Sequence, residues 1–527
     1  VTGQSIPEPY RHRAEVGNDA TMPRMEVIVS GDPLSIDEVV AVARGEAAAR
    51  PGPDLEKRMA PAREVVERAV GRDEVVYGIT TGFGALASTR IDPTETRQLQ
   101  INLLRSHAAG VGDPVPDAVV RAMLLLRART LAQGHSGVRP VVVRRLLEML
   151  DLGMVPVVPG YGSVGASGDL APFAHLALPL IGEGEVTFRG ELLPAAAALS
   201  QAGLQPLNLE AKEGLSLLNG TEGMTAMLCL GVARTERLAR VADLAAALSI
   251  EALMGSARPF RPEIHRLRPH PGQMESAARI ARLIEGSEIE ASHSEDFTHA
   301  VQDAYSLRCA PQVHGAAMDT LRHVRRVVDI ELGAVVDNPI VFPESGDVLS
   351  AGNFHGQPLA FAADFLTIAA TELGSISERR TDRILDPERS SGLPPFLSVR
   401  PGLNSGYMLA QYTAASLVAE NRVLSHPASV ESIPTSGSQE DHVSMGWGAA
   451  RKMGEVLDNT ARVLAVEMVC AAQGVEFRAP LRPAPGTARA VEIIRTAVPP
   501  LTGRSSVSSD IETVAEMIEA GAFDELL

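Results

Sequence analysis

The 527-residue chain has few aromatic residues, few cysteines and a deficit of positive charge. Aromatic residues make up 4% of the sequence, so Leu, Val and Ala must form most of the core that a 45% hydrophobic content allows. Cys229, Cys309 and Cys470 are odd in number and show no C-x-x-C spacing, which indicates neither a disulfide framework nor a zinc site. With 65 acidic and 48 basic residues, the net charge of −17 disfavours binding to nucleic acid or to an anionic membrane.

The sequence also lacks targeting and metal-binding signals. No apolar run of 18 residues is free of charge, and residues 1–25 contain no apolar signal-peptide core, so we expect a cytoplasmic protein. Residues 1–24 are polar and predict a flexible leader. No H-E-x-x-H or comparable cluster occurs, and His293 and His299 are too loosely arranged to argue a site. We therefore expect no required metal.

Long helical patterns fill most of the chain. They cover Thr225–Met254, Pro358–Leu385, Tyr407–Leu424 and Trp447–Gln473, with a last helix over Asp510–Leu527. Strand-like segments are short, as at Met25–Ser30, Gly184–Phe188 and Ile340–Phe342. The pattern predicts a mainly α protein, with a loop-rich helical domain over residues 25–220 and a long-helix bundle with C-terminal helices over residues 221–527.

Residues 162–172 read GSVGASGDLAP, and the Ala166-Ser167-Gly168 core of this run has the composition needed for a backbone to cyclise. Ala166 and Gly168 add almost no bulk beside Ser167, and Gly168 can adopt the φ values that bring its amide nitrogen toward the Ala166 carbonyl. Loss of water from that ring closure, and again from Ser167, would leave an exocyclic methylidene. The protein would then make its own electrophile.

The same region fits a dinucleotide-binding pattern, because residues 160–165 match G-x-G-x-x-G after the apolar residues 154–158. Such a site requires an uninterrupted strand before the glycines and a helix after them. Pro156 and Pro159 interrupt the strand, and Pro172 restricts the helix. We therefore favour cyclisation over nucleotide binding.

Six further segments rich in glycine or polar residues interrupt the helical pattern. They are YGITTGFG at residues 77–84, RSHAAGVG at 105–112, LNGT at 218–221, QDAYSLR at 302–308, GNFHG at 352–356 and QEDHVSM at 439–445. Each also has a purely structural interpretation. Asn219-Gly220 is a turn dipeptide, Glu440 and Asp441 suit the first turn of a helix, and His107 suits an ordinary core histidine.

Taken together with the Ala-Ser-Gly run, these segments resemble the ammonia-lyases and aminomutases that depend on 4-methylideneimidazol-5-one (MIO), in order and in approximate spacing. The resemblance covers residues 26–520 and is closest to the bacterial histidine ammonia-lyases. The phrases that carry it are SHAAGVG, GSVGASGDLAP, LLNGT, QDAYSLRCAPQ, DNPIVF, GNFHGQP, GLPPFL and SQEDHVSMGW. It implies a helical fold like that of fumarase and aspartase, with MIO formed from Ala166, Ser167 and Gly168 and no external cofactor.

The resemblance also implies roles for individual residues. Tyr305 would remove the substrate β-proton with Tyr77 as its partner, and a nearby cation such as Arg308 would lower the phenol pKa from about 10. Arg308 would also hold the substrate carboxylate through two hydrogen bonds. The other residues implied to contact the substrate are Asn219, Gln302 and Phe354, besides His107 and Glu440.

Positions 107 and 440 face the substrate side chain in the resembling enzymes. A carboxylate suits an imidazole that donates an N–H, whereas an apolar ring would leave Glu440 unpaired at a cost of about 1–3 kcal/mol. His107 does not discriminate, because tyrosine enzymes also carry a histidine there. Some tyrosine aminomutases share the Ser-His pair but tend to have Asn-Gln-Asp where this chain has Gln439-Glu440-Asp441. We therefore expect L-histidine to be deaminated to trans-urocanate and ammonia.

Several alternatives stay open at this point. A tyrosine or histidine 2,3-aminomutase would use the same residues and return ammonia to the β-carbon, and a tyrosine ammonia-lyase would differ in its substrate. A catalytically silent helical scaffold would leave the Ala-Ser-Gly run uncyclised. The sequence does not choose between attack on the electrophile by the substrate amine and by its ring. The resemblance further implies a homotetramer whose active sites combine loops from several subunits.

Overall fold

A computed structural model describes residues 25–72, 76, 78, 81, 91–92, 95–294, 301–502 and 506–527, and helices dominate it. The helices of the first part are α1 (Ile36–Arg44), α2 (Leu55–Gly71), α3 (Thr96–His107), α4 (Asp117–Ala132), α5 (Pro140–Leu152), α6 (Leu170–Ala177), α7 (Ala195–Gln201) and α8 (Glu213–Leu218). They are followed by α9 (Glu222–Ala252), α10 (Pro262–Arg266), α11 (Pro271–Leu283), α12 (Glu288–Ala291), α13 (Tyr305–Arg308), α14 (Ala310–Glu331), α15 (Gln357–Leu385), α16 (Met408–Leu424), α17 (Gly446–Glu476), α18 (Pro485–Arg495) and α19 (Val507–Glu519). The predicted mainly helical class is confirmed.

The strands are short and form small separate sheets. They are β1 (Met25–Val29), β2 (Ala47–Pro51), β3 (Val111–Pro114), β4 (Val155–Pro156), β5 (Pro159–Tyr161), β6 (Glu185–Phe188), β7 (Glu191–Pro194), β8 (Ile340–Phe342) and β9 (Asp347–Leu349). β1 and β2 pair in parallel, whereas β3–β5, β4–β6–β7 and β8–β9 are antiparallel. The two-residue strand β4 therefore precedes the glycines in an antiparallel sheet, which agrees with the rejection of a dinucleotide site.

Three long helices form the centre of the bundle. α9 and α17 have 31 residues each and α15 has 29, so each is about 45 Å long. They pack directly against one another, with α14 against α9 and α15. Leu, Val and Ala supply most of their buried surface, as the low aromatic content predicts. One hydrophobic core extends from Val27 to Phe523. The division at residue 220 stays a prediction, and the predicted leader lies outside the described residues.

One helix in the described residues, α15, is long and apolar enough to cross a membrane. Its most apolar stretch is 67% buried, and α15 packs against α9, α14, α16 and α17. That burial is typical of the central helix of a bundle.

The N-terminal ends of α6, α9 and α17 meet in one place. α6 starts directly after Gly168 and Asp169, and α9 starts after the turn Asn219-Gly220-Thr221. α17 starts at Gly446, so Glu440 and Asp441 lie in the loop before it. The interpretation of those two acids as first-turn residues is therefore wrong. This meeting point lies between three of the segments singled out in the sequence.

Candidate active site

The Ala166–Gly168 segment forms a tight turn with left-handed backbone angles. Ser167 has φ +49° and Gly168 has φ +77°, and both follow Gly165 at φ +73°. A Cβ atom added to Gly168 would lie 2.0 Å from the carbonyl oxygen of Gly220. Only glycine fits this position, and a bare Cα is what ring closure onto the Ala166 carbonyl needs. The residues present therefore fit an MIO group formed from this segment.

Asp169 fixes the turn through three hydrogen bonds. Its amide donates to Gly220 O at 2.8 Å, and its carboxylate accepts from Met224 N at 2.9 Å and from Ser163 Oγ at 3.3 Å. The side chain has no exposed surface, and burial raises its pKa to about 7. The turn is thus tied to the first residues of α9 through a carboxyl group that is costly to ionise.

A buried arginine fixes the Asn219–Gly220 turn. Arg127 on α4 pairs with Glu222 and donates to Ser216 O at 3.1 Å and Asn219 O at 3.0 Å. Its guanidinium also lies 4.5 Å from the centre of the Phe173 ring on α6. Burial raises the pKa of Glu222. The ion pair therefore holds the backbone that packs against Gly168.

Asn219 is buried, and its amide group already has partners. Nδ2 donates to Asn338 O at 2.9 Å and lies 3.5 Å from Asp337 Oδ1, while Asp337 pairs with Lys212 at 2.8 Å. These contacts fix the orientation of the Asn219 side chain. A contact from Asn219 to the substrate stays a prediction.

The C-terminal loop reaches the same turn from the other side. Met445 N donates to Val164 O at 2.9 Å, and Ser444 Oγ lies 3.5 Å from Gly165 O. His355, beside the half-buried Phe354, contacts this loop through Nε2 at 3.2 Å from His442 O. The structure thereby brings together four segments that are far apart in the chain, at residues 162–169, 218–222, 352–356 and 439–446.

His107 ends α3 and is half-buried. Its Nδ1 lies 2.9 Å from Leu103 O, and because a carbonyl only accepts, Nδ1 carries the hydrogen and Nε2 remains an acceptor. Burial lowers the pKa of His107, whereas the bond to Leu103 and the negative charge of Glu440 act in the opposite direction. The Glu440 carboxylate therefore acts on the His107 ring through its charge, and a common pocket for the two side chains stays a prediction.

Gln302, Tyr305 and Arg308 lie elsewhere on the chain's surface. Tyr305 is 71% exposed, and the Arg308 guanidinium lies 4.6 Å from the centre of its ring. Arg308 Nε donates to Asp303 O at 3.0 Å. Within the part of the chain that the structure describes, no hydrogen bond or ion pair joins these three residues to the 162–169 turn. Tyr77 lies outside the described residues.

No sequence motif indicates a role for the residues that support the turn. Asp169 and Gly220 lie inside recognised motifs, but their spacing indicates no contact between them. Arg127 did carry a signal, because a charged residue within the apolar run MLLLRARTLA predicts a buried ion pair. Its partner Glu222 lies 95 positions away and follows only from the fold.

Comparisons with known proteins agree with this geometry. Residues 34–496 match the family model described as aromatic amino acid lyase. The chain belongs to the aromatic amino acid lyase family. A histidine ammonia-lyase of Gloeobacter violaceus is 54% identical to this lyase over 495 residues, which is 94% of this chain and 96% of the relative.

Solved structures give the same family and leave two activities to compare. The crystal structure of histidine ammonia-lyase from Trypanosoma cruzi is 40% identical to this lyase, with a TM-score of 0.88 over 95% of each chain. Tyrosine aminomutase from Streptomyces globisporus is also 40% identical, with a TM-score of 0.91 over 95% of this chain and 98% of its own. The fold is thus shared by a lyase and a mutase.

Proposed function

We propose that the protein is a histidine ammonia-lyase, which eliminates ammonia from L-histidine to give trans-urocanate. The observation that carries the proposal is that the loop bearing Glu440 reaches the Ala166–Gly168 turn, since Met445 N donates to Val164 O at 2.9 Å. The negative charge of Glu440 also acts on the His107 ring. A carboxylate accepts the N–H that a neutral imidazole ring donates. A phenylalanine ring would leave this carboxylate unpaired. The 54% identity to a relative named histidine ammonia-lyase supports the same substrate.

The fit of Ala166, Ser167 and Gly168 supports MIO as a self-made group and requires no external cofactor. The group supplies an electrophile that no ordinary side chain offers. Arg308 binds the substrate carboxylate, Asn219 assists it, and Gln302 and Phe354 shape the pocket. His107 and Glu440 orient the imidazole. Tyr305 accepts the β-proton, with Tyr77 as its partner.

These roles require a second copy of the chain, and we propose a homotetramer with shared active sites. Tyr305 is 71% exposed in the single chain, so its hydroxyl is available to a neighbouring subunit. Exposed apolar residues on α16 and on the loop after it support such contacts; they are Leu409, Tyr412, Val423, Val430 and Ile433. A cytoplasmic location stays a prediction.

One substrate panel tests the proposal. Purified protein is incubated separately with L-histidine, L-tyrosine and L-phenylalanine, and the products are separated by chiral chromatography. Urocanate from L-histidine is expected. Coumarate from L-tyrosine would indicate a tyrosine ammonia-lyase, and a β-amino acid would indicate an aminomutase. Ser167→Ala is the control, because it leaves the fold without the methylidene carbon.

Mixed oligomers test the shared site. Ser167→Ala and Tyr305→Phe are each expected to be inactive alone. If sites combine residues from two subunits, co-expression of the two variants restores some activity, because some sites then hold an intact Ser167 and an intact Tyr305. Activity that stays absent in isolated mixed oligomers contradicts shared sites.

A further inference from the structure

The residue before the Glu440 loop contacts the carboxylate that the proposed function uses. Thr435 Oγ1 donates to Glu440 Oε2 at 2.7 Å. Both residues are half-buried, and the bond closes a six-residue turn over Thr435–Glu440. No role follows for Thr435 from the motif QEDHVSM, since that motif starts four residues later.

The turn does not need the side-chain bond in order to close. Thr435 N donates to Glu440 O at 2.9 Å, and Glu440 N donates to Thr435 O at 3.3 Å. These two backbone bonds already join its ends in an antiparallel bridge. The effect of the threonine hydroxyl therefore falls on the Glu440 side chain, which has several rotatable bonds and would otherwise sample several orientations.

The backbone of this turn is strained. Ser436, Gly437 and Ser438 have φ values of +50°, +62° and +67°, a left-handed run that serines rarely adopt. Strain of this kind persists only where the surrounding structure imposes it, and it is concentrated at functional sites. Here the strained turn brings Thr435 and Glu440 next to each other, so that their side chains can form the hydrogen bond.

Both ends of the loop are fixed to the bundle. On one side, Ser429 N donates to the buried carboxylate of Asp364 at 2.8 Å. On the other, Met445 N donates to Val164 O beside the 166–168 turn. Within the loop, Val443 N donates to Ser432 Oγ at 2.9 Å. The loop backbone is thus held independently of Thr435. What remains to be fixed is the direction of the Glu440 carboxylate.

We infer that Thr435 is a specificity-determining positioning residue, which holds the Glu440 carboxylate in one orientation and so selects a side chain that donates N–H. The inference rests on the proposed function. A hydroxyl bond to one carboxylate oxygen leaves the other oxygen available to the substrate. Because the acceptor is already oriented before the substrate binds, less conformational entropy is lost on binding. The effect is therefore expected mainly in KM.

Thr435→Val tests this directly, because valine keeps the β-branched shape and loses only the hydroxyl. We expect KM for L-histidine to rise about 10-fold and kcat to change less than about 3-fold, the size of one lost hydrogen bond to a charged group. Thr435→Ser keeps the hydroxyl and is expected to restore KM. Thr496→Val is the matched control, since the Thr496 hydroxyl donates only to Ile493 O on the distant helix α18.

A double-mutant cycle separates positioning from a merely structural role. In a Glu440→Ala background, Thr435→Val is expected to add no further change in KM, because the carboxylate that it positions is gone. If the hydroxyl only stabilised the loop, the loss would be the same in both backgrounds. Equal losses, or an unchanged KM in the single variant, overturn the inference.

The proposed function and this inference fail in different ways. Wild-type protein that does not convert L-histidine overturns the proposed function before any variant is made. The cycle is then run on whichever amino acid of the panel the wild type converts. Absence of coupling between positions 435 and 440 on that substrate overturns the inference, and coupling supports it for that substrate.

Discussion

The turn at Gly168 and the segment at Tyr305 are expected to act on the same substrate, but their surroundings are opposite. Asp169 beside the turn has no exposed surface, whereas Tyr305 is 71% exposed. The turn is enclosed by the starts of α6, α9 and α17 within one chain. The tyrosine lies at the surface of the chain. The proposed shared site therefore predicts that a neighbouring subunit encloses Tyr305, whereas a single chain already encloses the turn.

Despite that difference, the two regions have one structural feature in common. Arg127 pairs with Glu222 and donates to the backbone carbonyls of the Asn219 turn. Arg380 on α15 pairs with Glu467 at 2.5 Å and donates to Ser306 O at 3.3 Å, next to Tyr305. In each of these two segments, a buried arginine–glutamate pair therefore holds the backbone. Such a pair has a large desolvation cost, so its value lies in fixing the backbone.

The largest effect is expected at Gly168. Gly168→Ala places a Cβ 2.0 Å from Gly220 O, so the turn cannot keep its shape and the ring cannot close. We expect activity to fall about 1,000-fold or more, as for loss of a covalent catalytic group. Intact-mass measurement should show protein that has not lost two water molecules.

Gly190→Ala is the control for backbone strain alone. Gly190 has φ +79°, close to the +77° of Gly168, but nothing lies within 4 Å of its added Cβ. This variant should lose about 1–2 kcal/mol of stability and keep its activity. If neither variant loses the two waters, general destabilisation of the fold, and not the contact with Gly220, prevents cyclisation.

A smaller effect is expected from the exposed region. Tyr305→Phe removes the proposed base, and kcat should fall about 100-fold or more. Because Tyr305 is exposed, the melting temperature and the two-water mass loss should not change. Tyr412→Phe, at a tyrosine that is 61% exposed, should match wild type in all three measurements. If the Tyr305→Phe protein did not show the two-water mass loss, the two regions would not act independently.

The two arginine–glutamate pairs can be compared through stability. Arg380→Met leaves the Glu467 charge buried without its partner and should cost about 3–5 kcal/mol of unfolding free energy. The double variant Arg380→Met/Glu467→Met should recover most of that loss in urea denaturation. Arg127→Met and Arg127→Met/Glu222→Met should behave alike.

Function distinguishes the same variants. Arg127→Met should reduce the fraction of protein that has lost two waters, whereas Arg380→Met should keep the dehydration and lower kcat. If both variants lower the dehydrated fraction, the two arginine–glutamate pairs do not support the two regions independently.

The last prediction concerns the pH dependence of stability. Burial raises the Asp169 pKa from 3.8 to about 7, so the folded state binds a proton more tightly than the unfolded state does. The contribution of this group to stability is therefore present at low pH and is lost as pH rises from about 4 to about 7. Asp169→Asn cannot titrate. Urea midpoints should show wild type losing stability relative to Asp169→Asn across that range, and a constant difference would contradict the raised pKa.

Helix positions were largely predictable from the sequence. The patterns over Thr225–Met254 and Pro358–Leu385 correspond to Glu222–Ala252 and Gln357–Leu385 in the structure. Helix propensity and the 3.6-residue period act within a few turns, so local sequence records them. The last helix was predicted too long, because it ends at Glu519 and Gly521 follows with φ +77°.

The candidate site was predictable as a set of segments and not as an arrangement. Glu440 was also compatible with a helix start, and only the observed beginning of α17 at Gly446 places it in a loop. The hydrogen bonds between Asp169 and Met224 and between Thr435 and Glu440 depend on side-chain directions, which sequence spacing does not predict. The roles of the site residues remain predictions.

By itself, the sequence determined the helical class and the family. The helical class follows from local helix preferences, and the family follows from motifs that resemble those of its members in order and spacing. The chemistry of Ala166-Ser167-Gly168 stays a prediction. Only the tertiary structure decided that Gly168 packs on Gly220, that Arg127 and Arg380 support the backbone at Asn219 and Ser306, and that Thr435 donates to Glu440. Residues hundreds of positions apart meet only after long helices have packed, and that packing depends on the whole buried surface.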